Sequence, residues 1–240
     1  MQVAPSHLFN GDLWSLLQSG HKAVFARSGA GKSVIVKTLY DAPPAPAVSV
    51  YVTPHKDLPR GHRLTSTSKV LHAIQAGQRR IVWKAPRELE VEGGRDQVVH
   101  DLDVLVDQLL TLGEKMMRGD KADVWCLMVI DEVQNFTSKT GYLGPVERLL
   151  AEGRKFGIRC IMVSQRPARV SLEVLGQAEH VFFLELNPPD EQYLRRAGYV
   201  IDEFTSWTAQ RAAPCGVCGE AKFHFVLLQK DRWAPFHAIK

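Results

Sequence analysis

Residues 26–34 read Ala-Arg-Ser-Gly-Ala-Gly-Lys-Ser-Val. This spacing suits a loop that turns its backbone N–H groups toward phosphate oxygens just before a helix begins. Gly29 and Gly31 stand where such a loop wraps tightest and positive φ is needed. Ser28, Gly29, Ala30, Gly31, Lys32, Ser33 and Val34 form the expected cradle. Lys32 is placed to reach the β- and γ-phosphates, and the Ser33 hydroxyl to ligate Mg²⁺. The usual pattern has a glycine where this chain has Ala26. A methyl at the mouth of the loop, at the end of the preceding strand, is easier to accommodate than one inside it. The plainer reading is a Gly/Ser turn that happens to contain Gly-Lys-Ser.

Further along, residues 126–135 read Cys-Leu-Met-Val-Ile-Asp-Glu-Val-Gln-Asn. An apolar strand ending in two acids puts carboxylates at the carboxyl edge of a parallel sheet, the edge a phosphate loop also occupies. Asp131 is placed to hold Mg²⁺, mostly through water. Glu132 is placed to orient and polarise the water that attacks the γ-phosphorus. An acid pair after an apolar run is common by chance, but the pair together with the upstream loop is not. A further strand, 158–163, ends in Ser164-Gln165. If it neighbours the acid strand, Gln165 can hydrogen-bond the γ-phosphate or the attacking water and report which nucleotide is bound.

Strands alternate with helices along the chain, which predicts a mostly parallel sheet covered on both faces. Short apolar runs at 23–25, 48–52, 81–83, 125–130, 158–164 and 181–184 read as strands. Helices are expected over 6–20, 34–40, a stretch from about 66 to 77, 97–118, 145–156, a short piece near 172–175, and 190–197. The tail from about 200 reads as β-like, with a turn at 215–219. The composition, 240 residues with 45% hydrophobic and 23% charged, fits one sizeable α/β core. A net charge of +4 permits a nucleic-acid partner without demanding one. No apolar run approaches the roughly 18 residues of a membrane span. Met1–Ser6 lacks the basic start and apolar stretch of a signal peptide. Four cysteines are too few for a disulfide scaffold, so a cytoplasmic location is expected.

Together, the stretches Ala26–Ser33, Val129–Glu132, Gly153–Arg159 and Val163–Pro167 resemble the HerA/FtsK superfamily of ring-forming, DNA-pumping ATPases. The match covers about residues 22–190. The resemblance implies a RecA-like P-loop NTPase fold of the ASCE type, as one domain with a small β-rich extension over about 200–240. It implies ATP and Mg²⁺ as ligands, with Lys32 and Ser33 on phosphate and metal. Asp131 and Glu132 match the metal and water acids, and Gln165 the sensor. An arginine on the helix before the sensor strand acts across the subunit interface in related proteins. Arg154 occupies that place, with Arg159 and Arg166 in reserve; a solvated arginine at a helix end is the plainer account. A nearly bare motor domain of this kind resembles the genome-packaging ATPases of tailless, membrane-containing icosahedral viruses. That placement implies a homo-oligomeric ring, most simply a hexamer. It implies double-stranded DNA as the translocated partner and a viral capsid or membrane vertex as the docking site, in the host cytoplasm. The rivals are a cellular translocase or helicase, a secretion motor, and a nucleotide-gated scaffold that does not pump.

Smaller signals remain. Cys215 and Cys218 form a Cys-x-x-Cys pair, half of a zinc knuckle. A site needs four ligands, and His224 and His237 do not stand at knuckle spacing, so two thiols in a turn are favoured. Asn187-Pro188-Pro189-Asp190 resembles a guanine reader but lacks its lysine, which favours ATP over GTP. The loop 135–142 could bring Lys139 to DNA phosphates, but a plain surface loop is the favoured account; Arg79, Arg80, Lys84 and Arg87 cluster, which a solvated face explains as well.

Overall fold

The apolar runs become strands buried on both faces. In the computed structural model this holds for β2 (His21–Phe25), β3 (Val48–Thr53), β6 (Cys126–Asp131) and β7 (Ile158–Ser164) at every position. The structure describes residues 6–8, 10–41, 46–55, 60–85, 94–116, 124–137, 144–199, 201, 205, 208, 225–229 and 232–239. The remaining strands are β1 (Ser6–Leu8), β4 (His62–Leu64), β5 (Arg80–Lys84), β8 (Ala178–Phe183), β9 (Phe225–Gln229) and β10 (Arg232–Ile239). The described strands form one ten-stranded sheet in the order β1-β10-β9-β8-β2-β7-β6-β3-β5-β4. From β8 to β4 all neighbours run parallel. At the far side β9 is antiparallel to β8 and to β10, and β1 returns parallel to β10.

Helices cover both faces, as the alternation of strands and helices requires. On one face, α1 (Asn10–Ser19) and α2 (Lys32–Asp41) contribute Leu17, Ile35, Val36 and Leu39 to a core with Val24, Val129 and Ile161. On the other lie α3 (Thr67–Gln75), α4 (Gly94–Met116), α5 (Pro145–Glu152), α6 (Leu172–Gly176) and α7 (Pro188–Arg196). Their Val70, Leu102, Leu105, Leu149, Val174 and Leu194 pack with Phe25, Val50, Met128 and Cys160. Alternate residues of each strand thus serve opposite cores, the period of two that a strand dictates.

Three local expectations are corrected. Residues 6–20 are not one helix: Ser6–Leu8 pairs with β10, and α1 starts at Asn10. The segment 145–156 is not one α-helix either. It tightens into a 3-10 turn over Gly153–Phe156 and ends at Gly157, whose φ of 68° suits glycine. Strand β4 was not expected; two of its three residues are exposed, so it carries no apolar run. No helix among the described residues is long and apolar enough to cross a membrane.

Candidate nucleotide site

Strand β2 delivers the chain into the loop at Ala26, which is fully buried and donates its N–H to the Ser164 carbonyl at 3.3 Å. That contact continues the β2–β7 ladder by one residue. Ala26 is therefore strand-like, and its methyl packs in the core rather than over the loop. Arg27 then crosses to Glu185, making an ion pair and a backbone bond to the Glu185 carbonyl. Gly29 and Gly31 take φ of 73° and 91°. A Cβ on Gly29 would meet nothing within 4 Å, so glycine serves the backbone angle there, not clearance. Helix α2 starts at Lys32, which puts the positive end of its dipole behind the loop.

The loop borders a cleft of about 310 Å³ lined by Ser28, Gly29, Gly31, Lys32, Ser33, His55, Asp131 and Gln165. Of the expected cradle, Ala30 is buried and Val34 is exposed, and neither is among the lining residues. The strand that leads into Gln165, β7, lies between the loop strand β2 and the acid strand β6. That order brings three distant segments to one rim. Lys32 Nζ lies 3.2 Å from Glu132 Oε1 and 3.9 Å from Asp131 Oδ1. Gln165 Nε2 donates to the same Glu132 Oε1. Glu132 is the one non-glycine among the described residues with positive φ, at 54°. A left-handed Glu costs on the order of 1–3 kcal/mol. The strain turns the chain sharply after β6, so that Glu132 projects back beside Asp131, whose Oδ1 accepts the Glu132 N–H at 3.1 Å.

Three further residues hydrogen-bond or pair with the two acids and carry no motif signal in the sequence. Thr53 Oγ1 donates to Asp131 Oδ2 at 3.2 Å. His55 Nε2 lies 3.3 Å from Glu132 Oε1. Gln134 Nε2 donates to Glu132 Oε2 at 2.5 Å, while its Oε1 accepts from Ser164 Oγ at 2.7 Å. The signal available was polar residues directly after a buried strand, at the edge where the acids also lie.

The two acids are driven apart electrostatically. Burial raises the Asp131 carboxyl above its usual range, and the neighbouring Glu132 charge adds to this; Lys32, His55 and Thr53 oppose without reversing it. Burial also pushes Glu132 up, but the Lys32 charge and the hydrogen bonds from Gln134, Gln165 and Lys32 outweigh it, holding its carboxyl below the usual range. Glu132 is thus the settled anion. A buried carboxylate with an under-compensated charge, sharing a cleft with the Ser33 hydroxyl, fits a hard oxygen-seeking cation such as Mg²⁺.

No protein-family model matches the chain. An 84-residue stretch, 32% of the chain, is 33% identical to the probable DNA double-strand break repair helicase HerA of Methanocaldococcus jannaschii. The match spans only 16% of that relative's length. The genome packaging NTPase B204 from Sulfolobus turreted icosahedral virus 2, solved in complex with ATP-gammaS, aligns with a TM-score of 0.65 at 14% identity. That alignment covers 93% of this chain and 99% of B204. VirB4 of Thermoanaerobacter pseudethanolicus aligns with a TM-score of 0.62 at 9% identity, over 92% of this chain and 89% of its own. The fold is that of the P-loop NTPases.

Within this P-loop fold the nominated arginines separate. Arg154 precedes β7, whereas Gln165 follows it, so the two lie at opposite edges of the sheet, roughly 20 Å apart along the strand. Arg154 is half-exposed and 3.7 Å from Glu179, away from its own cleft. Arg159 is buried and donates to the carbonyls of Gln18, Ile158 and Arg154, which anchors it in its own chain. Arg166 follows Gln165 and donates its N–H to Ser164 Oγ at 2.9 Å. Asn187 and Asp190 open α7: Asp190 accepts from the Ala168 N–H at 3.1 Å, a bond between helix and turn. Cys126 and Cys160 are buried core residues, as expected. Cys215, Cys218, His224, Lys139 and Arg87 lie outside the described residues.

Proposed function

We propose that this chain is the ATPase subunit of a ring motor that translocates double-stranded DNA, and that its task is packaging a viral genome into a preformed capsid. The observation that carries the reading is the convergence of Lys32, Asp131, Glu132 and Gln165 on one rim. Each has a role there. Backbone N–H groups of the loop and Lys32 hold the phosphates. Ser33 and Asp131 would hold Mg²⁺, which neutralises phosphate charge. Glu132, the ionised acid of the pair, accepts the proton of the attacking water. Gln165 donates to the γ-phosphate or that water. Arg154, on the opposite edge, serves the next subunit's site, since a closed head-to-tail ring juxtaposes opposite flanks of neighbouring copies.

The packaging role draws support from B204, whose full length aligns with nearly all of this chain. DNA would be gripped through its phosphates, with steep salt dependence and little sequence preference. A second reading, a cellular DNA translocase or a secretion motor, draws on HerA and VirB4. The deciding experiment is ATP turnover with and without duplex DNA, run beside a mass measurement of the assembly. Turnover stimulated by DNA in a ring supports the motor. Turnover indifferent to DNA favours a secretion motor, and none at all leaves a scaffold. Association with capsid proteins separates packaging from cellular roles.

A further inference from the structure

The segment Thr53-Pro54-His55 has no part in the roles assigned above, yet it touches both acids. Thr53 Oγ1 donates to Asp131 Oδ2 at 3.2 Å, and His55 Nε2 lies 3.3 Å from Glu132 Oε1 and 3.9 Å from Asp131 Oδ2. The His55 N–H donates to Thr53 Oγ1 at 3.1 Å, which ties the turn down. The imidazole is half-exposed and lines the cleft.

Three donor groups converge on Glu132 Oε1: Lys32 Nζ, Gln165 Nε2 and His55 Nε2. A carboxylate oxygen offers about two acceptor sites, so an oxygen so engaged has no place for a water proton. On the ATPase reading, on which this inference rests, Lys32 and Gln165 turn to phosphate oxygens when nucleotide binds. His55 belongs to neither the phosphate loop nor the sensor strand, and it stays with the acids. Two side-chain donors then remain on the carboxylate: His55 on Oε1 and Gln134 on Oε2. They fix its plane and leave room on each oxygen to accept from water. A base must be held within roughly 10–20° of its productive orientation.

We infer that His55 is a positioning residue for Glu132, holding the carboxylate through an Nε2–H···Oε1 bond when Lys32 and Gln165 are occupied by nucleotide. The imidazole could also be read as a third cation ligand, because single ligand atoms of His55, Asp131 and Glu132 fall within 4.8 Å of one another. Mg²⁺ takes oxygen ligands, and imidazole suits softer transition metals. The hydrogen-bond role is therefore the one compatible with the nucleotide's metal.

The test compares wild type, Glu132→Gln, His55→Ala and His55→Gln for steady-state ATP turnover, ATP affinity and melting temperature. Glutamine places an amide N–H at about the reach of imidazole Nε2. His55→Ala should lose about 10- to 100-fold in kcat with ATP affinity within about threefold of wild type, because a base misplaced by about an ångström loses that much. His55→Gln should recover most of the loss. The melting temperatures should match. Wild-type turnover that Glu132→Gln abolishes but His55→Ala leaves intact overturns the positioning role alone. So does a His55→Gln variant as slow as His55→Ala, or a loss confined to ATP affinity. A wild-type chain without turnover overturns the ATPase reading, and this inference with it.

Discussion

Lys32 and Glu132 form a direct ion pair at 3.2 Å, 100 positions apart in sequence, with both side chains at least nine-tenths buried. The ammonium that would grip phosphate therefore neutralises the carboxylate that would activate water. Nucleotide phosphate must draw Lys32 away before Glu132 can serve as a base, which couples readiness for chemistry to occupancy of the loop.

Glu132→Gln keeps the size of the side chain and removes its charge. It should bind ATP at least as well as wild type, because Lys32 loses a competitor. Turnover should fall by about 10²–10⁴, the range for loss of a general base. Equilibrium binding and steady-state turnover on the same preparation check this. Wild-type turnover in the variant removes Glu132 from its role.

Arg154→Ala subunits, inactive by themselves, should regain partial turnover when mixed with inactive Lys32→Ala subunits. Each supplies the half of the interface the other lacks, and a transferred arginine is worth about 10³–10⁵ in rate. The check is turnover against mixing ratio in rings verified by mass. Mixed rings without activity would confine Arg154 to its contact with Glu179.

Gly113 in α4 faces the 3-10 turn before β7. An added Cβ would lie 2.7 Å from the Phe156 carbonyl oxygen and 2.8 Å from its Cβ. That carbonyl also accepts the Trp125 indole N–H at 2.6 Å. Alanine gains about 1 kcal/mol of helix propensity. Overpacking costs about 1–3 kcal/mol, and the indole bond is strained as well. Gly113→Ala should therefore lower the urea midpoint; a raised midpoint would mean the turn yields freely.

His21 is fully buried, with Nδ1 accepting the Cys160 N–H and Nε2 facing the Leu150 carbonyl, each at 3.0 Å. Burial, aided by the charges of Arg159, Lys22 and Arg154, pushes its imidazole down to about 3 from 6.5. The unfolded chain takes up this proton near pH 6.5 and the folded chain only near pH 3, so stability falls as pH drops between them. The slope from this residue is at most about 1.4 kcal/mol per pH unit. Imidazole nitrogen shifts in the native protein should show a neutral ring down to about pH 4. A native titration near the ordinary value would contradict this.

The site was legible in so far as it lay in contiguous stretches. Gly29, Gly31 and Lys32 announce themselves because tight phosphate wrapping needs glycines at fixed spacing, and Asp131 and Glu132 because they end an unbroken apolar run. Gln165 stood out as the polar end of a second such run. His55 and Thr53 did not, because their importance arises from lateral order: β3 lies directly beside β6. Nothing local to Thr53-Pro54-His55 states which strand will be its neighbour. Gln134 was hidden because a left-handed residue and a 3-10 turn fold it back onto Glu132. At the sheet margins, β1 and β4 are three residues each and lean on a partner strand rather than on their own pattern.

The left-handed backbone at Glu132 sets two selective demands against each other. Glycine would sit there without conformational penalty, yet it has no carboxylate to meet Lys32 and Gln165. Glycine at position 132 would relax the turn and in the same step take from Lys32, Gln134 and Gln165 the carboxylate they share, so the tension in the backbone and the integrity of the site are removed together.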